Sequence, residues 1–171
     1  MNGGVSEWPG AGVRKAQRAD DRWEELSGTL KVFSRTIKVA TESRVEIYDV
    51  TDRVTDAVQS SGIQNGFLTI TSLHTTTALF INEFQAALVA DFKQFLERLA
   101  SRECGYLHNC EDCSDCERKN ADAHIRALVL GHHLTLPLQA GRIAFGQWQS
   151  ILFAELDGPQ VRSLMTQVFG V

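Results

Sequence analysis

The sequence predicts one α+β domain of mixed or antiparallel sheets with helices inserted between strands. Strand-like alternation occupies both ends of the folded region, and helical spacing of apolar residues occupies its middle. Strands and helices do not alternate one for one as a parallel βαβ sheet would require. A chain of 171 residues, 43% hydrophobic and 22% charged, can bury one full core and is short for two.

Residues 1–26 are rich in Gly, Ala and charge and lack an apolar period, so they read as a flexible leader before a domain over 27–171. Trp23 and Leu26 are the leader residues best suited to pack on the domain edge. From Thr29, alternation through Ile37 and again at Val45, Ile47 and Tyr48 predicts two strands, arranged as a hairpin. Thr51 to Ser61 sets Val54, Ala57 and Val58 on one helical face, with Thr51 or Asp52 as cap and Gly62 as terminator.

Phe67–Leu73 and Ala78–Ile81 predict two further strands joined by the polar stretch from His74 to Thr77. Leu88, Phe92, Phe95, Leu96 and Leu99 recur at helical spacing and predict an amphipathic helix. Residues 101–119 have no apolar period, and a loop of that length implies a use. Asn120 is the expected cap of a second buried helix ending at Gly131, with Asp122 and Arg126 as a surface ion pair. Leu134–Leu138, Gln149–Leu156 and Val161–Phe169 supply the remaining strands.

A formal charge of −4 argues against broad binding to a nucleic-acid backbone, which depends on clustered Lys and Arg. No apolar run approaches the roughly 20 residues of a membrane-spanning helix. The first residues also lack an apolar signal core, so the expected compartment is the cytoplasm.

Three histidines stand where elements stop. His74 ends the row Leu68, Ile70, Ser72 on one strand face, and Thr75 and Thr76 beside it offer hydroxyls to an oxyanion or an imidazole. The alternative is a purely structural histidine. His124 lies in the first helical turn, where the helix dipole disfavours protonation; alternatively it only packs against Leu128. His108 lies in the long loop, where no regular packing demands it. Glu155 shares a strand face with Ile151 and Phe153, and an acid there needs a partner, with Arg162 and His124 as candidates.

Cys104, Cys110, Cys113 and Cys116 form C-x5-C-x2-C-x2-C. The spacing departs from ferredoxin-type runs, so a four-thiol metal or cluster site competes with reduced or redox-paired loop cysteines.

The segments HTTTALFINE at 74–83, YLHN at 106–109, NADAH at 120–124, LTLPL at 134–138 and GQWQ through ELDGP at 146–159 resemble the YjbQ family, over residues 29–171. The resemblance implies a homotrimer of compact α+β subunits. It matches family histidines to His74, His108 and His124 and gives roles to Asn82, Glu83, Trp148 and Glu155. It also implies a secondary thiamine-phosphate synthase activity, a transfer joining a pyrimidine pyrophosphate to a thiazole phosphate, with a small phosphorylated metabolite as partner.

The residues themselves leave three functions open. Arg118, Lys119, Arg126, Arg142 and Arg162 are a thin cation set for two phosphorylated substrates, and no Gly-rich phosphate loop is present. Three imidazoles with Glu155 as base would instead suit a divalent ion, Zn or Mg, in a metal-dependent hydrolase or lyase. The third alternative is a non-enzymatic trimer that binds a metabolite or metal. Thr75, Thr76, Asn82, Glu83, Trp148 and Arg162 complete the candidate substrate contacts.

Overall fold

The computed structural model describes residues 25–171. Most of the leader, including Trp8 and Trp23, lies outside them; Leu26, inside, is exposed. The order is β1 (Lys31–Ala40), β2 (Glu46–Asp49), α1 (Thr51–Ser61), β3 (Gly66–Ser72), β4 (Thr77–Asn82), α2 (Ala86–Leu99), α3 (Ala121–Leu130), β5 (His133–Gln139), β6 (Arg142–Ile143), β7 (Ser150–Glu155) and β8 (Val161–Gly170). A single 3-10 turn, Leu107–Asn109, interrupts the α2–α3 loop.

The fold is α+β with antiparallel pairing throughout the described sheets. One sheet has the order β1-β8-β3-β5-β6 and the other β2-β7-β4. Their facing sides form the main core, in which Leu68, Ile70, Leu164 and Val168 meet Leu79, Ile151 and Phe153, with Val54 and Val58 of α1 at its edge. The far side of the smaller sheet carries Ala78, Leu152 and Ala154 against Leu96 of α2 and Ala123 and Ala127 of α3. Strand β7 is therefore apolar on both faces, because it is the middle strand of a middle layer.

Strands β1 and β2 are not a hairpin. β1 pairs with β8 and β2 with β7, so the chain changes sheet between Ala40 and Glu46. An inward row of apolar residues looks the same whether the next strand joins the same sheet or the facing one. The β3–β4 and β7–β8 links make the same crossing, which brings His74–Thr76 and Glu155–Gln160 to one end of the molecule.

Helix α3 also departs from expectation. Leu128 and Val129 are 84% and 59% exposed, whereas Asp122 and Arg126 are buried. The face that packs uses small Ala123 and Ala127, leaving room for charged side chains beneath the helix. Arg126 donates to the Ala100 carbonyl and to Glu97, so the predicted surface pair is an interior brace between α3 and α2.

The helix caps are redistributed too. Gly62 ends α1 in the left-handed region, at φ 68°, where a glycine carries no side-chain penalty. At its start, Thr51 and Asp52 do not cap: Asp49 accepts from the Thr51 N–H, and the Thr51 hydroxyl accepts from the Ile151 N–H. Asn120 occupies the N-cap position of α3 without capping it. Asn109, from the loop, accepts from the Ala121 N–H at 3.0 Å and does that work instead. No helix among the described residues is long and apolar enough to cross a membrane.

Candidate functional site

The β3–β4 turn and the first turns of α3 enclose a cavity of about 460 Å³. Its walls include His74, Thr75, Thr77, His124 and His132. A second cavity of about 540 Å³ lies on the other side of His124, lined by Tyr106, Leu107, His108, Ala121 and Ile125. His124 borders both. The volumes fall within the range of small-metabolite sites.

His74 is held by the backbone. The Ser163 N–H donates to its Nε2 at 2.9 Å, which makes Nε2 the acceptor of a neutral ring and leaves Nδ1 carrying the proton. Burial lowers the pKa of His74 below its ordinary 6.5, and the nearby Arg162 guanidinium pushes the same way, against an opposing pull from Glu155.

His108 and His124 meet edge to face, with ring centroids 5.1 Å apart. Burial again lowers the His124 pKa, and the neighbouring His108 adds to it, while Asp157, the Thr75 backbone and Asp122 oppose. A chain of hydrogen bonds orients His108. Asp157 accepts from the Asn120 amide nitrogen at 2.7 Å, so the Asn120 oxygen faces His108 Nε2, 3.3 Å away. An amide oxygen only accepts, so His108 presents Nε2–H to it.

Glu155 is fully buried and its oxygens are fully used. Arg162 grips it from Nε at 2.6 Å and Nη2 at 2.7 Å, the Thr41 hydroxyl donates to Oε2, and the N–H groups of Leu156 and Asp157 donate to Oε1. Arg162 also reaches the Thr76 hydroxyl at 3.3 Å. This bidentate pair ties the end of β7, the start of β8 and the β3–β4 turn together. Glu155 therefore positions the turn that carries His74; with every oxygen engaged, it offers no lone pair to a substrate proton.

Asp157 is a second hub. Its carboxylate takes Arg44 at 2.7 Å and Arg118 at 2.8 Å besides Asn120, and Arg44 continues to Asp122 at 2.9 Å. A side chain at Gly158 would meet the Ser43 carbonyl at 2.4 Å, so the chain passes here only as glycine. Asn120 and Asp157 are not among the site residues expected from the sequence, and His132 joins the cavity wall as a further residue. Asn120 and Asp157 lie inside the segments NADAH and ELDGP, and a second acid two residues past Glu155 is the signal that could have found Asp157.

Asn82, Glu83 and Trp148 stand elsewhere. In the β4–β7 register Thr77 faces Glu155 and Asn82 faces Ser150. The two ends of this ladder are thus roughly 17 Å apart at strand rise. Asn82 and Glu83 border a groove of only about 10 Å³ with Phe80 and Phe92, and Trp148 is 67% exposed. Within one subunit they do not join the histidines. Nor do the described residues hold a group of three His, Cys, Asp or Glu side chains placed to bind a metal. Cys110 and Cys113 pair as a disulfide, while Cys104 and Cys116 are free thiols.

The two lowered histidines make stability depend on pH. Below about 6.5 the unfolded chain binds protons at these rings that the folded protein refuses, so unfolding is favoured as pH falls. Urea midpoints should be level from pH 8 to 7 and decline from 6.5 to 5.5. Midpoints that rise on acidification would contradict the assignment of neutral, desolvated rings.

Comparison with known proteins agrees with the fold. Residues 35–171 match the family model described as UPF0047 protein YjbQ-like. A UPF0047 protein of Methanothermobacter thermautotrophicus is 40% identical over 141 residues, 82% of this chain and 94% of that protein. The YjbQ protein of Salmonella typhimurium is 30% identical over 125 residues, 72% of this chain and 86% of that protein. A YbjQ-like protein from Sulfolobus solfataricus superimposes with a TM-score of 0.78 at 33% identity, covering 84% of this chain and 100% of the other. A hypothetical protein from Aeropyrum pernix gives 0.72 at 32% identity, covering 81% and 98%. With matching sequence over most of its length and the same fold, the chain belongs to the UPF0047/YjbQ-like family.

Proposed function

We propose that the cavity between the β3–β4 turn and α3 binds the phosphate or pyrophosphate of a small metabolite, and that the protein is a cytoplasmic transferase of the thiamine-phosphate-synthase type. The reading rests on the hydrogen bond from the Ser163 N–H to His74 Nε2, which dedicates Nδ1–H to donation on a cavity wall. Thr75 adds an exposed hydroxyl on the same wall. In the reaction the pyrimidine's exocyclic carbon loses pyrophosphate with its bonding pair and gains the thiazole nitrogen. Charge therefore grows on the leaving oxygens, where fixed donors count most.

The test is to incubate the purified full chain with pyrimidine pyrophosphate and thiazole phosphate and follow thiamine phosphate and released pyrophosphate. Stoichiometric formation of both supports the proposal. Pyrophosphate that neither binds nor is released would end it.

A metal-dependent hydrolase is the second reading, and one observation favours it. The Asp157–Asn120–His108 chain fixes the outer nitrogen of His108 as metal-ligand histidines are fixed, beside His124. These rings would supply only two of the four ligands that zinc takes, and His74 has Nε2 engaged, so this reading ranks behind the first. In both readings the subunit acts as a homotrimer, which would let a neighbour's Asn82, Glu83 and Trp148 approach the histidines. Light scattering should then report three subunit masses, and a monomer at micromolar concentration would refute it.

A further inference from the structure

The α2–α3 loop carries a feature that the phosphate site does not use. Cys110 follows the 3-10 turn directly, and its Cα lies 5.2 Å from that of Cys113, within the span a disulfide bridges. Around it the loop is short of regular structure. The Cys110 N–H donates to the Leu107 carbonyl, and the N–H groups of Cys113 and Ser114 both donate to the Cys110 carbonyl. A bridge between residues three apart ties no distant parts of the fold together, so holding the domain is not its main effect. Its effect is local, and what lies locally is His108.

Three contacts connect the cysteine segment to the histidines. Asn109, next to Cys110, caps α3 at Ala121. His108 bonds Asn120 at 3.3 Å. The Cys116 thiol approaches the same Asn120 oxygen at 3.7 Å. His108 and Cys116 thus share one acceptor, itself fixed by Asp157, and the Cys110–Cys113 pair lies between them in the chain.

We propose that Cys110 and Cys113 form a reversible dithiol–disulfide couple whose state sets the position of His108 against Asn120 and His124. Cys113 is exposed, which opens the bridge to a thiol from solution. In reduction, a low-molecular-weight thiolate attacks the bridge to give a mixed disulfide, and a second thiolate displaces the protein sulfur. Two external thiols become one external disulfide, and the protein gains two electrons and two protons. Reduction frees the segment behind the 3-10 turn, and His108 relaxes from its edge-to-face contact.

The experiment equilibrates the full chain with glutathione buffers of graded ratio, traps free thiols with a maleimide and maps them by mass. Cys110 and Cys113 should oxidise together in one two-electron transition, retained in a C104S/C116S variant and lost in C110S and in C113S. In the same samples the His108 ring proton signal, identified by its absence in H108N, should move with the same midpoint. Independent oxidation of the two cysteines, pairing with Cys104 or Cys116 instead, or a His108 signal unmoved through the transition would overturn the proposal. So would one equivalent of zinc per chain released by thiol modification, which would make the thiolates metal ligands. The wild-type titration carries the test even if a cysteine variant fails to fold.

Discussion

Replacing Arg162 with Ala should destabilise the protein by about 3 to 5 kcal/mol, the usual cost of leaving one partner of a buried ion pair alone. Arg162 is 8% exposed and Glu155 is fully buried, so water cannot substitute for the lost guanidinium. Glu155 would retain donation from Thr41 and from the Leu156 and Asp157 N–H groups, which eases the loss without neutralising the charge. The double variant E155L/R162M should recover much of the loss, since apolar residues of similar volume can replace a buried pair at little cost. Urea unfolding of the wild type and these two variants checks this. A loss under 1 kcal/mol for R162A would mean that the pair does not hold the β7–β8 corner.

His74→Ala should lower the rate of the proposed transfer about 100- to 1000-fold, the usual effect of removing one donor to a developing oxyanion. Stability should fall only by about 1 kcal/mol, because the Ser163 N–H that loses its acceptor is partly open to solvent. Single-turnover rates separate the two effects: the loss should sit in the chemical step, with folding retained. A rate unchanged within a factor of three would remove His74 from the reacting centre.

The strands and helices were legible because each imposes a period, and those periods survive in the sequence from Lys31 to Gly170. Pairing was not. Nothing local distinguishes a hairpin from a crossing between facing sheets, which is why β1 and β2 were expected to pair. The same limit applied to α3, where Leu128 and Val129 suggested burial while the interior in fact received Asp122 and Arg126.

At the site, His74, His108 and His124 stood out because they sit at the ends of elements. Their partners did not, since Ser163, Asn120 and Asp157 are far from them in sequence or carry side chains with many other uses. Arg162 was legible as a partner for Glu155 because a charge on a two-sided apolar strand requires one. That the pair would exhaust both oxygens of Glu155 depended on Thr41, 114 residues away.

In the proposed function His74 is a neutral donor, locked by the Ser163 N–H, whose Nδ1–H serves an oxyanion. Long-range proton–nitrogen NMR on the histidine side chains tests it most directly, with His74 assigned by its loss in H74A. An unprotonated Nε2 and a protonated Nδ1 are expected at pH 7.5, with the Nδ1 signal shifting on titration with inorganic pyrophosphate. A protonated Nε2, or an Nδ1 signal indifferent to pyrophosphate, would contradict it.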